Sequence, residues 1–226
     1  MVEPAADRAV YLWDWPVRIT HWGFALLLPA MWWTAEEGEM ERHQQLGLLF
    51  LGLLVFRVLW GFGGSAPARF GQFVKGPGAV LAYVRGTATG GPVLGHNPLG
   101  GWSIAALLAL IAVQIGLGLI SQDVDGLFSG PLNHLVSYDT GDAARGWHEL
   151  SFNILAGLVV VHIFAVGFYL FVRRDNLITP MLSGRKRVDG TVADPRRGSA
   201  TALIASAVAA VGVVTWVWFG APPLGD

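Results

Sequence analysis

Five apolar runs, at roughly 17–35, 44–62, 99–120, 149–172 and 200–219, alternate along the chain with segments that hold most of its charge. At about 1.5 Å per residue, helices of about 20 residues cross a hydrocarbon layer of about 30 Å. The pattern therefore predicts five membrane spans. Pro29 and the glycines at 47, 52, 116, 118, 157 and 167 do not argue against them, because small residues let membrane helices approach closely.

Composition agrees: 53% of the residues are hydrophobic, 14% are charged, and ten are tryptophan. A net charge of -1 and the lack of a basic aromatic patch leave no case for nucleic-acid binding. With no cysteine, thiolate metal sites, disulfides and covalent haem attachment are all excluded. The first run has no small-residue cleavage pattern before or after it and is expected to be a retained span.

Charge in the connections sets the expected orientation. The 61–98 connection carries Arg69, Lys75 and Arg85 without an acid, and 173–199 carries seven basic residues against three aspartates. By contrast 36–42 holds Glu36, Glu37, Glu39 and Glu41 against Arg42, and 121–147 holds four aspartates against Arg145. The N-terminus is expected in the cytoplasm and the C-terminus in the periplasm. The fifth run, rich in Ala and Val and ending in Trp-x-Trp, reads as a lipid-facing anchor. The stretch from Phe70 to Tyr83 reads either as an interfacial segment or as a solvated loop.

Histidines supply the candidate chemistry. His148 and His162 lie fourteen residues apart, which at about 100° and 1.5 Å per residue returns them to one helix face about 21 Å apart. His21 sits at the expected cytoplasmic end of the first span and His43 at the periplasmic end of the second. Depth then pairs His21 with His162 and His43 with His148, the arrangement of a bundle carrying two haems. A lone histidine near a membrane helix is commonly interfacial, but ionisable groups at membrane depth usually face an interior, and here four agree in depth. Bis-histidine ligation leaves iron no open position and favours electron transfer. Arg57 stands fourteen residues after His43, where it would either pair with a propionate of the inner haem or snorkel to the interface. His148-Glu149 is not a zinc motif, since H-E-x-x-H requires a second histidine where Phe152 stands.

The segments RITHWGFALLL, ERHQQLGLLFLGLLVFRVLWGF and RGWHELSFNILAGLVVVHIFAVGFYLF, followed by RRDNLITPML, resemble the prokaryotic cytochrome b561 family and the related b-type cytochrome subunit of nickel-iron hydrogenases. The resemblance covers about residues 10–182. It implies that His21, His43, His148 and His162 are axial ligands of two non-covalent haems b, in a four-helix bundle passing electrons between membrane quinone and a second redox partner. The expected fold is an all-α integral membrane protein: a haem-binding domain over 1–182, a basic cytoplasmic linker over 183–199, and a fifth helix with a short outer tail over 200–226. His96, in GHNPLGGW, is a candidate quinone or propionate contact, or a loop residue capping a helix. His134 reads as a surface residue or a partner contact.

The expected function is that of a dihaem b-type cytochrome of the bacterial inner membrane, with the bilayer, quinone, and a periplasmic redox protein or dehydrogenase subunit as partners, and a homodimer as a candidate assembly. Two other readings stand beside it. One is a haem-free transporter or anchor subunit using buried histidines as proton or ion sites. The other is an oxidoreductase acting directly on a small oxidant such as superoxide.

Overall fold

The computed structural model describes residues 8–87, 95–188 and 193–224. Residues 189–192 of the expected linker, and both extreme ends of the chain, lie outside the described residues. The described chain is mostly helical: α1 (Trp15–Glu36), α2 (Met40–Gly63), the short α3 (Phe70–Phe73) and α4 (Pro77–Val84), α5 (Pro98–Ile120), α6 (Tyr138–Phe171), the short α7 (Ile178–Ser183) and α8 (Ala200–Trp218). Four helices are long and apolar enough to cross a membrane, namely α2, α5, α6 and α8. Although α1 has 22 residues, it is diluted by Arg18, His21, two prolines and four tryptophans. An all-α fold is corrected by one small sheet, in which β1 (Arg8–Tyr11) pairs antiparallel with β2 (Arg185–Val188), Arg8 opposite Val188 and Tyr11 opposite Arg185.

Backbone contacts divide the chain into two compact units whose boundaries fall inside α1, α2, α5, α6 and α8. One comprises Met1–Ile19, Val58–Ala105 and Val161–Leu203; the other comprises Thr20–Arg57, Ala106–Val160 and Ile204–Asp226.

In the first unit the start of the chain is fastened to the segment after α6. Leu12 and Trp13 donate backbone N–H groups to the carbonyl of Gly184, at 2.8 and 3.1 Å. Gly184 ends α7 at φ +81°, and a Cβ there would meet the Trp13 carbonyl at 2.7 Å, so glycine is required on both counts. The Arg18 guanidinium donates to the carbonyls of Met181 and Leu182, satisfying the exposed end of α7. The expected linker thus holds a strand and is tied to the N-terminal segment. Tyr83 of α4, Tyr169 of α6 and Asn97 meet through two hydrogen bonds of 2.6 Å. Asn97 also caps α5, its Oδ1 accepting from Gly100 N–H at 2.8 Å with Pro98 in the first turn.

Asp14 starts α1. One carboxylate oxygen accepts the Val17 N–H at 3.0 Å, as an N-cap does, and the other accepts Trp60 Nε1 at 2.9 Å. Both side chains are buried. Losing a cap and a buried hydrogen bond together costs about 2–4 kcal/mol. Asp14→Ala is therefore expected to lower the thermal midpoint of the detergent-solubilised protein clearly, with Asp14→Asn in between; equal midpoints for all three would refute this.

In the second unit α2 is the packed helix. Gly23 of α1 lies against Leu53, Phe24 meets Phe50 edge-on with ring centroids 5.2 Å apart, and Gly52 admits Val214 of α8. In the first unit Gly63 likewise lies against Ala202 of α8. So α8, expected to face lipid alone, has one side packed on α2 through small residues. The connection from α5 to α6 folds back on α5: Leu132 N–H reaches the Leu119 carbonyl and Asn133 Nδ2 the Ile120 carbonyl, both at 2.8 Å. The exposed His134 is hydrogen-bonded through Nε2 to the Gly220 carbonyl at 3.0 Å, joining this connection to the end of α8.

Candidate functional site

Two of the four expected ligands meet inside the second unit. His43 lies in the first turn of α2 and His148 in the first third of α6, and their ring centroids are 6.2 Å apart with planes at 78°. Each ring is held by a helix other than its own. Nδ1 of His43 is 2.9 Å from the carbonyl of Met31 on α1, with Thr34 Oγ1 at 3.3 Å, and Nδ1 of His148 is 2.9 Å from the carbonyl of Gln114 on α5. A carbonyl oxygen can only accept, so Nδ1 carries the proton in both rings and Nε2 keeps its lone pair. This is the tautomer an imidazole needs to ligate a metal through Nε2.

Both rings line a cavity of about 800 Å³. That is within the range of about 300–1,000 Å³ that holds one small molecule or cofactor. Gly47 and Gly118 are on its wall. A Cβ at Gly47 would make only an ordinary contact, 3.5 Å from Met31, whereas one at Gly118 would press to 2.8 Å from the His148 ring. Gly118 therefore leaves room for the Cε1–Nδ1 edge of that imidazole to approach α5. The buried Gln114 completes the wall, with its side-chain nitrogen 3.1 Å from His148 Nε2 and its oxygen accepting from the hydroxyl of Ser151. Gln114 was absent from the sequence-based site, although a lone amide in the apolar run of α5 was the available signal.

The remaining expected residues are placed as follows. His21 is half-buried on α1, edge-on to Trp22 at 5.0 Å, in the second unit. His162 is half-buried on α6 in the first unit, between the exposed Val161 and Ile163. Arg57 is 6% exposed, which does not match a side chain snorkelling to water. His96 stacks on Trp13 at 4.5 Å and meets Phe73 at 5.4 Å, beside a small cavity of about 190 Å³. It is a packed aromatic-shelf residue, while the capping of α5 falls to Asn97.

The residues at His43 and His148 fit a haem. A metal ion about 2 Å from one nitrogen of each imidazole sets facing ring centroids about 6 Å apart. The observed separation matches, each Nδ1 is committed to a carbonyl, and beside an apolar wall His148 Nε2 would exchange the Gln114 amide for the metal. The described residues thus join membrane-crossing helices to two imidazoles that line one cavity.

The chain matches the family model described as prokaryotic cytochrome b561 over residues 12–184, and it belongs to that family. It is accordingly a multi-pass bacterial membrane protein, a b-type cytochrome that binds haem and transfers electrons. No curated protein and no solved structure matches the chain significantly.

Proposed function

We propose that the protein is a dihaem cytochrome b that carries electrons across the inner membrane between quinone and a periplasmic redox protein or dehydrogenase subunit. The observation that carries this reading is the His43–His148 pair, with both Nδ1 atoms committed to carbonyls and both rings opening on one cavity. When bound there, haem supplies one-electron chemistry. The protein's part is to fix two imidazoles, exclude water with an apolar wall and set the polarity around the site. By their spacing in the sequence and the family resemblance, His21 and His162 are assigned the second haem, with Arg57 as the cation for its propionates. In this reading α1 completes a four-helix haem-binding domain and α8 adds a fifth span. The positive-inside pattern places His43 and His148 towards the periplasm, beneath the acidic connections, where a basic carrier would dock.

The test is stoichiometry. Fully loaded protein is expected to carry two haems per chain, both extractable by acidic acetone because the chain has no cysteine to tether them. A measured ratio of one would overturn the dihaem reading, and a colourless preparation would return the transporter reading.

A further inference from the structure

We propose that Arg145 receives a carboxylate of the cofactor held by His43 and His148, and so sets which way round that cofactor sits. The proposal rests on the site reading above and adds a group that neither the spacing argument nor the family match identifies.

Arg145 lies on α6 one turn before His148, and residues three apart share a helix face. It lines the same cavity. Among the described residues on that wall it is the single cation, beside Glu36, Asp123 and Glu149. Haem b carries two propionate carboxylates, which three acids would repel and one guanidinium would attract.

The arrangement of the guanidinium nitrogens argues further. One terminal nitrogen donates to Asp142 at 3.0 Å and the other to Glu149 at 3.2 Å. Such i,i+3 and i,i+4 pairs are ordinary on a helix surface and alone would explain nothing more. Yet Nε is shut off from solvent and makes no hydrogen bond among the described residues. A buried donor without an acceptor costs free energy and calls for a partner. The two acids hold the guanidinium, and Nε is the donor left over. A carboxylate entering with the cofactor would satisfy it by a charge-assisted bond once the half-exposed side chain turns Nε to the cavity. The side chain as a whole is 35% exposed. That suits a site at the cavity rim, where a propionate keeps water on one oxygen while the macrocycle enters the apolar wall.

The test uses full-length, haem-loaded protein in detergent, with redox titration of each haem and the rate of haem loss to a scavenging apoprotein. Removing the positive charge disfavours the reduced, more negative state. Arg145→Gln is therefore expected to shift one haem's reduction equilibrium about tenfold towards the oxidised form, about 59 mV lower for a one-electron couple. That haem should also be lost several-fold faster, with the other haem unchanged. Arg145→Lys keeps the charge but lacks Nε, so it is expected to lose haem faster with a smaller change in potential; it carries the test if the glutamine variant fails to fold. Potentials and loss rates equal to wild type in either folded variant would overturn the proposal and leave Arg145 a surface ion-pair residue. His43→Ala separates the two levels: if it alters neither haem, the site itself is misassigned and the proposal falls with it.

Discussion

Alanine at His43 and alanine at His148 are expected to erase the same spectral component, taking the haem content from two per chain to one and leaving the second component intact. The 6.2 Å separation of the two rings fits one shared metal ion, and both rings carry the proton on Nδ1. Removing either imidazole would take one of the two residues proposed to hold the same haem, so the effects should not add. The double variant should look like each single one, as expected of residues that act as a unit. Reduced-minus-oxidised spectra and haem-to-protein ratios of the three proteins check this. Loss of different components by the two single variants would refute the pairing.

A second large effect is expected at a residue with no functional group. Leucine at Gly118 should remove the same haem as the histidine variants while the protein still inserts and purifies. A Cβ there would stand 2.8 Å from Cε1 and 3.1 Å from Nδ1 of His148, so the ring must turn and lose its bond to the Gln114 carbonyl. Gly118→Ala should retain the haem but lose it several-fold faster. Gly116, two residues earlier on α5, meets nothing within 4 Å of an added Cβ. Its alanine variant is the internal control and should match wild type in haem content and loss rate. Equal behaviour of the two alanine variants would show that the contact with His148 has no consequence.

Hydropathy made most of the helical chain legible, and it failed where polarity and structure part company. The run read as 149–172 is the apolar part of a helix beginning at Tyr138, where Ser137 Oγ accepts the Thr140 N–H. Eleven earlier residues, polar enough to resemble a loop, are helical. The strand pair was invisible because RAVY and RKRV have four residues each and their pairing joins distant parts of the sequence. Span topology brought His43 and His148 to one expected depth, on the side of the acidic connections. It could not find their hydrogen-bond acceptors, since a backbone carbonyl carries no residue identity. The close approach at Gly118 was equally hidden: its neighbour Gly116 looks the same in sequence and faces open space.

The carbonyls of Met31 and Gln114 also bear on the speed of electron exchange. Each imidazole is anchored at one end by its own helix and at its Nδ1 by another, α1 for His43 and α5 for His148. Neither ring can twist about its side-chain bonds without giving up a part-buried hydrogen bond. With haem held by the two rings, as proposed, the ligand geometry would be common to both charge states. Little nuclear rearrangement would then accompany gain or loss of an electron, and the distance to the partner, rather than motion of the protein around the metal, would limit the rate of transfer.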